Sequence, residues 1–232
     1  MFDSAPAFTS PAVRNAVAAQ ALAAQPASRL DALAGPVILF TAGDEVYAEG
    51  DRAGVLYQVA YGVIRIYRLL ADGRRQICAF HTQGEIFGFE AGAERHFFAD
   101  AVTATGLRAL RPGSEAELSH ELFKLALKSL NRAHDHLLTV GRNDAAGRVA
   151  AFLLEMAERQ SSGDIGTISL PQIGLPQISL PMSRSDIADY LGLTIETVSR
   201  VLTKLKEARI IRLASARQVD VLNWDALEDM TA

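Results

Sequence analysis

A single cysteine, Cys78, stands among 232 residues, and that scarcity excludes an internal disulfide and a cluster of iron and sulfur held by the chain's own thiolates. A multi-cysteine zinc site is excluded with them. Membrane-length apolar runs are absent too: 49% of the residues are hydrophobic, yet no stretch approaches the roughly 18 consecutive apolar residues of a transmembrane helix. The first residues lack the charged, apolar and cleavage segments of a secretory signal, so a cytoplasmic protein with no membrane partner is expected. The one His-x-His pair, His134 and His136, falls in a helical pattern, where an offset of two keeps the rings from converging on one metal. No nucleophile elbow or phosphate loop appears. Catalytic residues and metal ligands are therefore not expected. Positive charge is also short, with a formal net charge of −4 and a pI near 5.7. Such a balance opposes nucleic-acid binding unless the basic residues are gathered in one place.

They are gathered between Ser183 and Arg217. This stretch holds seven basic residues (Arg184, Arg200, Lys204, Lys206, Arg209, Arg212, Arg217) against four acids (Asp186, Asp189, Glu196, Glu207). It also carries two short amphipathic patterns around one glycine. Ser183 or Ser185 caps the first helix, and Ile187, Ala188 and Leu191 form its buried stripe. Gly192 supplies the left-handed turn, Thr194 caps the second helix by accepting from the amide near Thr197, and Val198, Leu202 and Leu205 face its core. Ile195, Glu196, Ser199, Arg200 and Thr203 are left pointing outward.

That outward set has the chemistry of base reading. Arginine donates two parallel bonds to guanine, glutamate accepts from the cytosine amino group, and Glu196 and Arg200, four apart, are placed to hold one another extended. The plain alternative is a surface ion pair on an ordinary helical hairpin. Ser183, Arg184, Ser185, Thr194, Thr197, Thr203 and Lys204 are the expected phosphate contacts. Ser183 or Ser185 would donate from the first helix N-terminus, where the helix dipole favours an anion. Its plain alternative is a cap facing solvent.

Four segments make up the expected α+β chain. Residues 1–35, rich in Ala, Pro and Ser, read as a flexible arm with at most one marginal helix near Val13–Ala24. Residues 36–113 hold short β-prone runs (37–40, 46–47, 56–59, 63–69, 76–80, 101–102, 107–110) separated by Gly-Asp and Asp-Gly, the pattern of a barrel or jelly roll. Asp72-Gly73 marks the firmest hairpin. Residues 114–141 form a long helix on which Phe123, Leu127, Leu130, His134 and Leu137 follow heptad spacing. That stripe either pairs with a second copy in a coiled coil or packs on the chain's own β domain. Residues 142–232 begin with a helix whose core face is Val149, Phe152, Leu153 and Met156. A Leu-Pro-Gln-Ile unit written twice follows, too proline-rich for a helix. The segment ends in a hairpin (210–213 and 218–222) that makes the helix-turn-helix winged.

The run Leu191-Gly-Leu-Thr-Ile-Glu-Thr-Val-Ser-Arg200, preceded by Asp186-Ile-Ala-Asp-Tyr190, resembles the recognition region of CRP/FNR-family bacterial transcription regulators, in the FNR and FixK branch. The resemblance implies a homodimer on double-stranded DNA, with Glu196, Ser199 and Arg200 reading a TTGA-type inverted repeat and Ile195 beside a thymine methyl. It also implies a β-roll of the cyclic-nucleotide-binding kind, and contacts with RNA polymerase through the hairpin at Asp72-Gly73-Arg74 and the loop at 111–117. Genes of low-oxygen respiration or nitrogen fixation are the implied targets.

Departures from the family pattern bear on ligands. Where relatives bind a cyclic nucleotide, this chain keeps Arg95, but His96 replaces the expected serine and Phe89 falls near the ribose-binding acid. Phe87, Phe89, Phe97 and Phe98 are expected to fill the cavity instead, so no cofactor is expected. Residues 1–35 lack the cysteines of an FNR-type cluster. Haem held by Cys78 and His81 is disfavoured because an offset of three on a strand points to opposite faces. A cyclic-nucleotide-responsive regulator is the alternative reading, and a cupin-like enzyme, which needs His-x-His on a strand, is a distant one.

Overall fold

The computed structural model describes residues 35–110, 116–142, 144–161 and 176–231. The expected arm up to residue 34, the loop at 111–115 and the first Leu-Pro-Gln-Ile unit lie outside the described residues.

Eight strands form two four-stranded antiparallel sheets. β1 (Val37–Phe40), β8 (Thr105–Leu110), β3 (Leu56–Tyr61) and β6 (Ile86–Phe87) pair in that order in one. The other runs β2 (Glu45–Tyr47), β7 (Phe98–Ala101), β4 (Ile64–Leu69) and β5 (Arg75–His81). Alternating side chains from both sheets (Tyr47, Val59, Ile64, Ile66, Phe87, Ala99, Ala101, Leu107) close a common core. The Asp72-Gly73 hairpin joins β4 to β5 as expected, with the Gly73 amide donating to the Leu70 carbonyl at 2.8 Å. At the turn into β4, Gly62 has φ +88°, and a Cβ there would stand 2.6 Å from the Ala104 carbonyl, so only glycine fits. The two-residue β6 has too short a pattern to be recognised in sequence.

α1 (Ala116–Val140) has two different faces. Leu122 and Leu125 pack on Leu56, Ile86 and Leu110 of the roll. Phe123, Leu127, Leu130 and Leu137 are 59%, 43%, 50% and 66% exposed, and His134 is exposed beside them. The heptad stripe therefore does not pack on its own β domain.

Asp144 caps α2 (Ala145–Ser161), accepting from the amides of Ala146 and Gly147 at 2.9 and 2.7 Å. Val149, Phe152, Leu153 and Met156 are each 1% exposed and meet Ile187, Leu191, Val198, Leu202 and Leu205 in one core. Pro176 precedes β9 (Gln177–Ser179), which joins β11 (Gln218–Val221) and β10 (Ile211–Ser215) in a three-stranded wing. A terminal helix, α5 (Trp224–Asp229), capped by Asn223, completes the fold. At six residues it is too short to show periodicity.

The two parts of the chain share that core, since Val63, Ile77 and Phe80 of the roll belong to it. Buried charge joins them as well. Arg159 of α2 donates to the Phe80 carbonyl at 2.9 Å and to Glu85 at 3.0 and 3.1 Å, while Arg132 of α1 reaches the same carboxylate at 2.5 Å. Burial alone would raise the Glu85 pKa, but the His81 ring 3.4 Å away and the charges of Arg159 and Arg132 outweigh it and hold it at about 2. A carboxylate depressed on folding stabilises above its unfolded pKa, and that contribution is lost as pH falls towards the folded value. Acid titration is therefore expected to cost stability between pH 4.5 and about 2, the unfolded and folded values. Glu85→Gln is expected to flatten that part of a pH-stability curve measured by urea unfolding; an unchanged curve would assign the acid sensitivity elsewhere.

Candidate nucleic-acid interface

Ser183 is the N-cap of α3 (Arg184–Leu191), in a capping box with Asp186. Its Oγ accepts from the Asp186 amide at 3.1 Å and donates to Asp186 Oδ2 at 2.7 Å. In the free protein the hydroxyl hydrogen is thus already used, and a phosphate contact requires that bond to be exchanged. An aspartate at 183 would face the Asp186 carboxylate, so Ser183→Asn is the substitution that keeps the cap. Ser183 is exposed, while Arg184 and Ser185 are half-buried. Arg184 Nη1 is buried without a hydrogen-bond partner among the described residues, and burial lowers the guanidinium's pKa.

Gly192 ends α3 in the left-handed region, φ +62° and ψ +39°, and its amide donates to the Ala188 carbonyl. Thr194 then caps α4 (Ile195–Glu207), accepting from Thr197 N–H at 3.2 Å. Val198, Val201, Leu202 and Leu205 are buried, and Val201 extends the stripe beyond the three positions expected from spacing. With that face fixed, Ile195 is 45% exposed, and Glu196, Ser199, Arg200, Thr203 and Lys204 are exposed. Thr197 is half-buried beside them.

The outward side chains are not tied to one another as expected. Among the described residues no ion pair joins Glu196 to Arg200. The Glu196 carboxylate instead lies beside its own amide and the Thr194 hydroxyl, which, together with the Arg200 charge, lower its pKa. Arg200 donates to Thr197 Oγ1 at a long 3.4 Å. The free amides of the first turn offer a carboxylate at position two of a helix better hydrogen bonds than a partner four residues on. Arg200 is left weakly held, and Thr203 donates to the Ser199 carbonyl at 2.9 Å.

In the wing, Arg212 donates to Asp220 Oδ2 at 2.7 Å, with Gln177 on Oδ1 at 2.8 Å. Arg217 stands exposed at the wing tip, a basic residue counted in the sequence but given no role there.

A cavity of about 220 Å³ lies where the roll meets α1 and α2. Phe87, Phe89 and Phe97 line it and leave space, and Phe98 is not among the lining residues, stacking instead on Tyr67 with centroids 5.2 Å apart. Arg95 is 3% exposed and spends its guanidinium on the carbonyls of Gly88 and Val55 at 2.7 and 2.5 Å, 4.2 Å above the Tyr47 ring. Cys78 and His81 both line the cavity, contrary to their expected opposition. A bulge in β5 explains this: Ile66 pairs with Ala79 and Tyr67 with Ile77, so Cys78 is the extra residue and the alternation breaks. Burial raises the Cys78 thiol's pKa. Among the described residues no group of three His, Cys, Asp or Glu side chains is placed to hold a metal.

A β-roll, a long helix with an exposed apolar stripe and a winged helix-turn-helix with an outward basic face define a DNA-binding transcription regulator of the Crp type. Comparison with known proteins agrees. Residues 147–230 match the Crp-like helix-turn-helix domain and residues 37–126 the cyclic nucleotide-binding domain. The nitrogen fixation regulation protein FixK of Rhizobium meliloti is 50% identical over 200 residues, 85% of this chain and 89% of the relative. The transcriptional activatory protein AadR of Rhodopseudomonas palustris is 34% identical over 79% of this chain and 77% of its own. Among solved structures, FixK2 from Bradyrhizobium japonicum superposes with a TM-score of 0.75 at 38% identity, covering 86% of this chain and 98% of that one. The chain belongs to the CRP/FNR family of transcription regulators, in its FixK-type branch, and is not an enzyme.

Proposed function

We propose that the chain works as a cytoplasmic homodimeric activator that reads a TTGA-type inverted repeat and contacts RNA polymerase through exposed surfaces of the roll. The names of its relatives point to control of nitrogen-fixation genes. The observation that carries the reading is the sidedness of α4: Val198, Val201, Leu202 and Leu205 are buried, which commits Ile195, Glu196, Ser199 and Arg200 to the outside. These four are the base-reading set. Ser183, Arg184, Ser185, Thr194, Thr197, Thr203 and Lys204 surround them at the ends and flank of the two helices, where phosphates run beside a helix lying in the major groove. Phe123, Leu127, Leu130, His134 and Leu137 form the dimer seam. Its support is an apolar stripe that the single chain leaves in water. Gel retardation on a TTGA inverted repeat and on a scrambled duplex tests the reading. Preference for the repeat is expected, and equal binding to both would refute it.

Regulation by a cyclic nucleotide is opposed by Arg95, whose donors are satisfied by backbone carbonyls under two tyrosine rings. Releasing it would leave those carbonyls unpaired. Millimolar cyclic AMP or cyclic GMP is therefore expected to leave the affinity for the repeat unchanged in an anisotropy titration. A shift of the binding curve would restore the ligand-responsive reading.

A further inference from the structure

The roll grips the helix-turn-helix through two carboxylates, Asp186 and Asp189, of which Asp186 takes both arginines. Arg65 of β4 donates to Asp100 of β7 at 2.8 Å and to Asp186 Oδ1 at 3.1 Å. Arg75, at the start of β5, donates to Asp186 Oδ1 at 2.7 Å and to Asp189 Oδ2 at 2.7 and 2.9 Å. Gln76 adds a bond to the Asp189 carbonyl at 2.7 Å. The Tyr67 ring, backed by Phe98, lies 5.8 and 5.5 Å from the two guanidinium carbons. With Asp186 side-chain exposure at 5% and the arginines at 18% and 23%, these pairs are shielded from solvent screening.

Asp186 divides its work between its two oxygens. Oδ1 receives both arginines, and Oδ2 receives the Ser183 amide and hydroxyl. The charges of the roll are thereby passed to the first residue of the recognition module. α3 and α4 share one core across the Gly192 turn, so whatever fixes α3 on the roll also fixes the direction of α4. Direction matters in a dimer. Two recognition helices must enter major grooves about one helical turn, roughly 34 Å, apart, and apparent affinity falls with the fraction of molecules so aligned.

We propose that Asp186, held by Arg65 and Arg75, is a positioning residue for DNA binding: it sets the helix-turn-helix against the roll so that two modules of a dimer engage one inverted repeat together. The proposal rests on the dimeric reading above. In a chain whose Arg95 is already bonded internally, this clamp holds the module without waiting for a ligand.

The test compares a full inverted repeat with a duplex carrying one half-site, using the full chain and the variants Arg65→Gln with Arg75→Gln, and Arg75→Lys. Misfolding of the module would weaken both duplexes equally, whereas lost alignment acts only where two modules must bind at once. The double variant is expected to lose about tenfold on the full repeat and less than about twofold on the half-site, within the usual range of coupling between sites. Arg75→Lys, which keeps the charge, is expected to recover part of the loss. Equal losses on both duplexes, no loss, or tighter binding would overturn the proposal. If the unaltered chain shows no preference for the repeat, the functional reading fails instead, and the clamp is judged by amide exchange alone. Faster exchange in α3 with α2 unchanged supports it, and unchanged α3 exchange refutes it.

Discussion

Leu130→Asp is expected to yield a folded monomer that no longer binds the inverted repeat at concentrations where the unaltered chain saturates it. Leu130 is 50% exposed in the single chain, so the substitution removes little that the fold itself uses. In a parallel two-helix seam the same position meets its own copy. Two carboxylates would then face each other in an apolar interface, a cost of several kcal/mol by the usual penalty for buried unpaired charge. Leu137, 66% exposed, provides an independent second site for the same change. A monomer binds one half-site and forfeits the second, so the loss on the full repeat is expected to exceed about a thousandfold while each half-site is still touched. Sedimentation equilibrium checks the oligomeric state, and circular dichroism checks the fold. A dimer that survives both substitutions would place the interface elsewhere.

The second large effect is at Arg200. Among the described residues its one hydrogen bond is the 3.4 Å contact to Thr197, so Arg200→Ala is expected to leave the fold intact. On DNA, one bidentate arginine–guanine contact discriminates by about 1–3 kcal/mol, and a dimer carries two of them. The expected loss on the cognate repeat is therefore about 2–6 kcal/mol, with discrimination at one base pair per half-site flattened. Binding to random DNA is expected to change little. Equal losses on cognate and random duplexes would show that Arg200 touches phosphate only.

What could be read from sequence was local. The Asp72-Gly73 turn, the caps at Ser183 and Thr194, the left-handed Gly192 and the stripes of α2, α3 and α4 each depend on residues within a few positions of one another. Interactions across the chain left no such trace. Arg65 and Asp186 are 121 residues apart, and Arg159 and Glu85 are 74 apart, so nothing in either neighbourhood announces the pairing. The bulge at Cys78 inverted a face argument that assumed strict alternation. At Glu196 the spacing of four gave no ion pair with Arg200 among the described residues, and Arg200 turned to Thr197 instead. Side-chain spacing settles which face of a helix looks outward. What an outward side chain bonds to in the free protein is decided by competition among neighbours that spacing does not rank.

Reading of two identical half-sites by a dimer through Ile195, Glu196, Ser199 and Arg200 is tested by measuring affinity for every single-base-pair variant of the inverted repeat. The predicted profile has two blocks of loss related by two-fold symmetry, each mismatch costing about 1–3 kcal/mol, with the bases between them tolerant. In the Arg200→Ala variant the guanine position of both blocks is predicted to go flat together. A profile with one block, or uniform small losses across the duplex, would contradict a dimer that reads two half-sites.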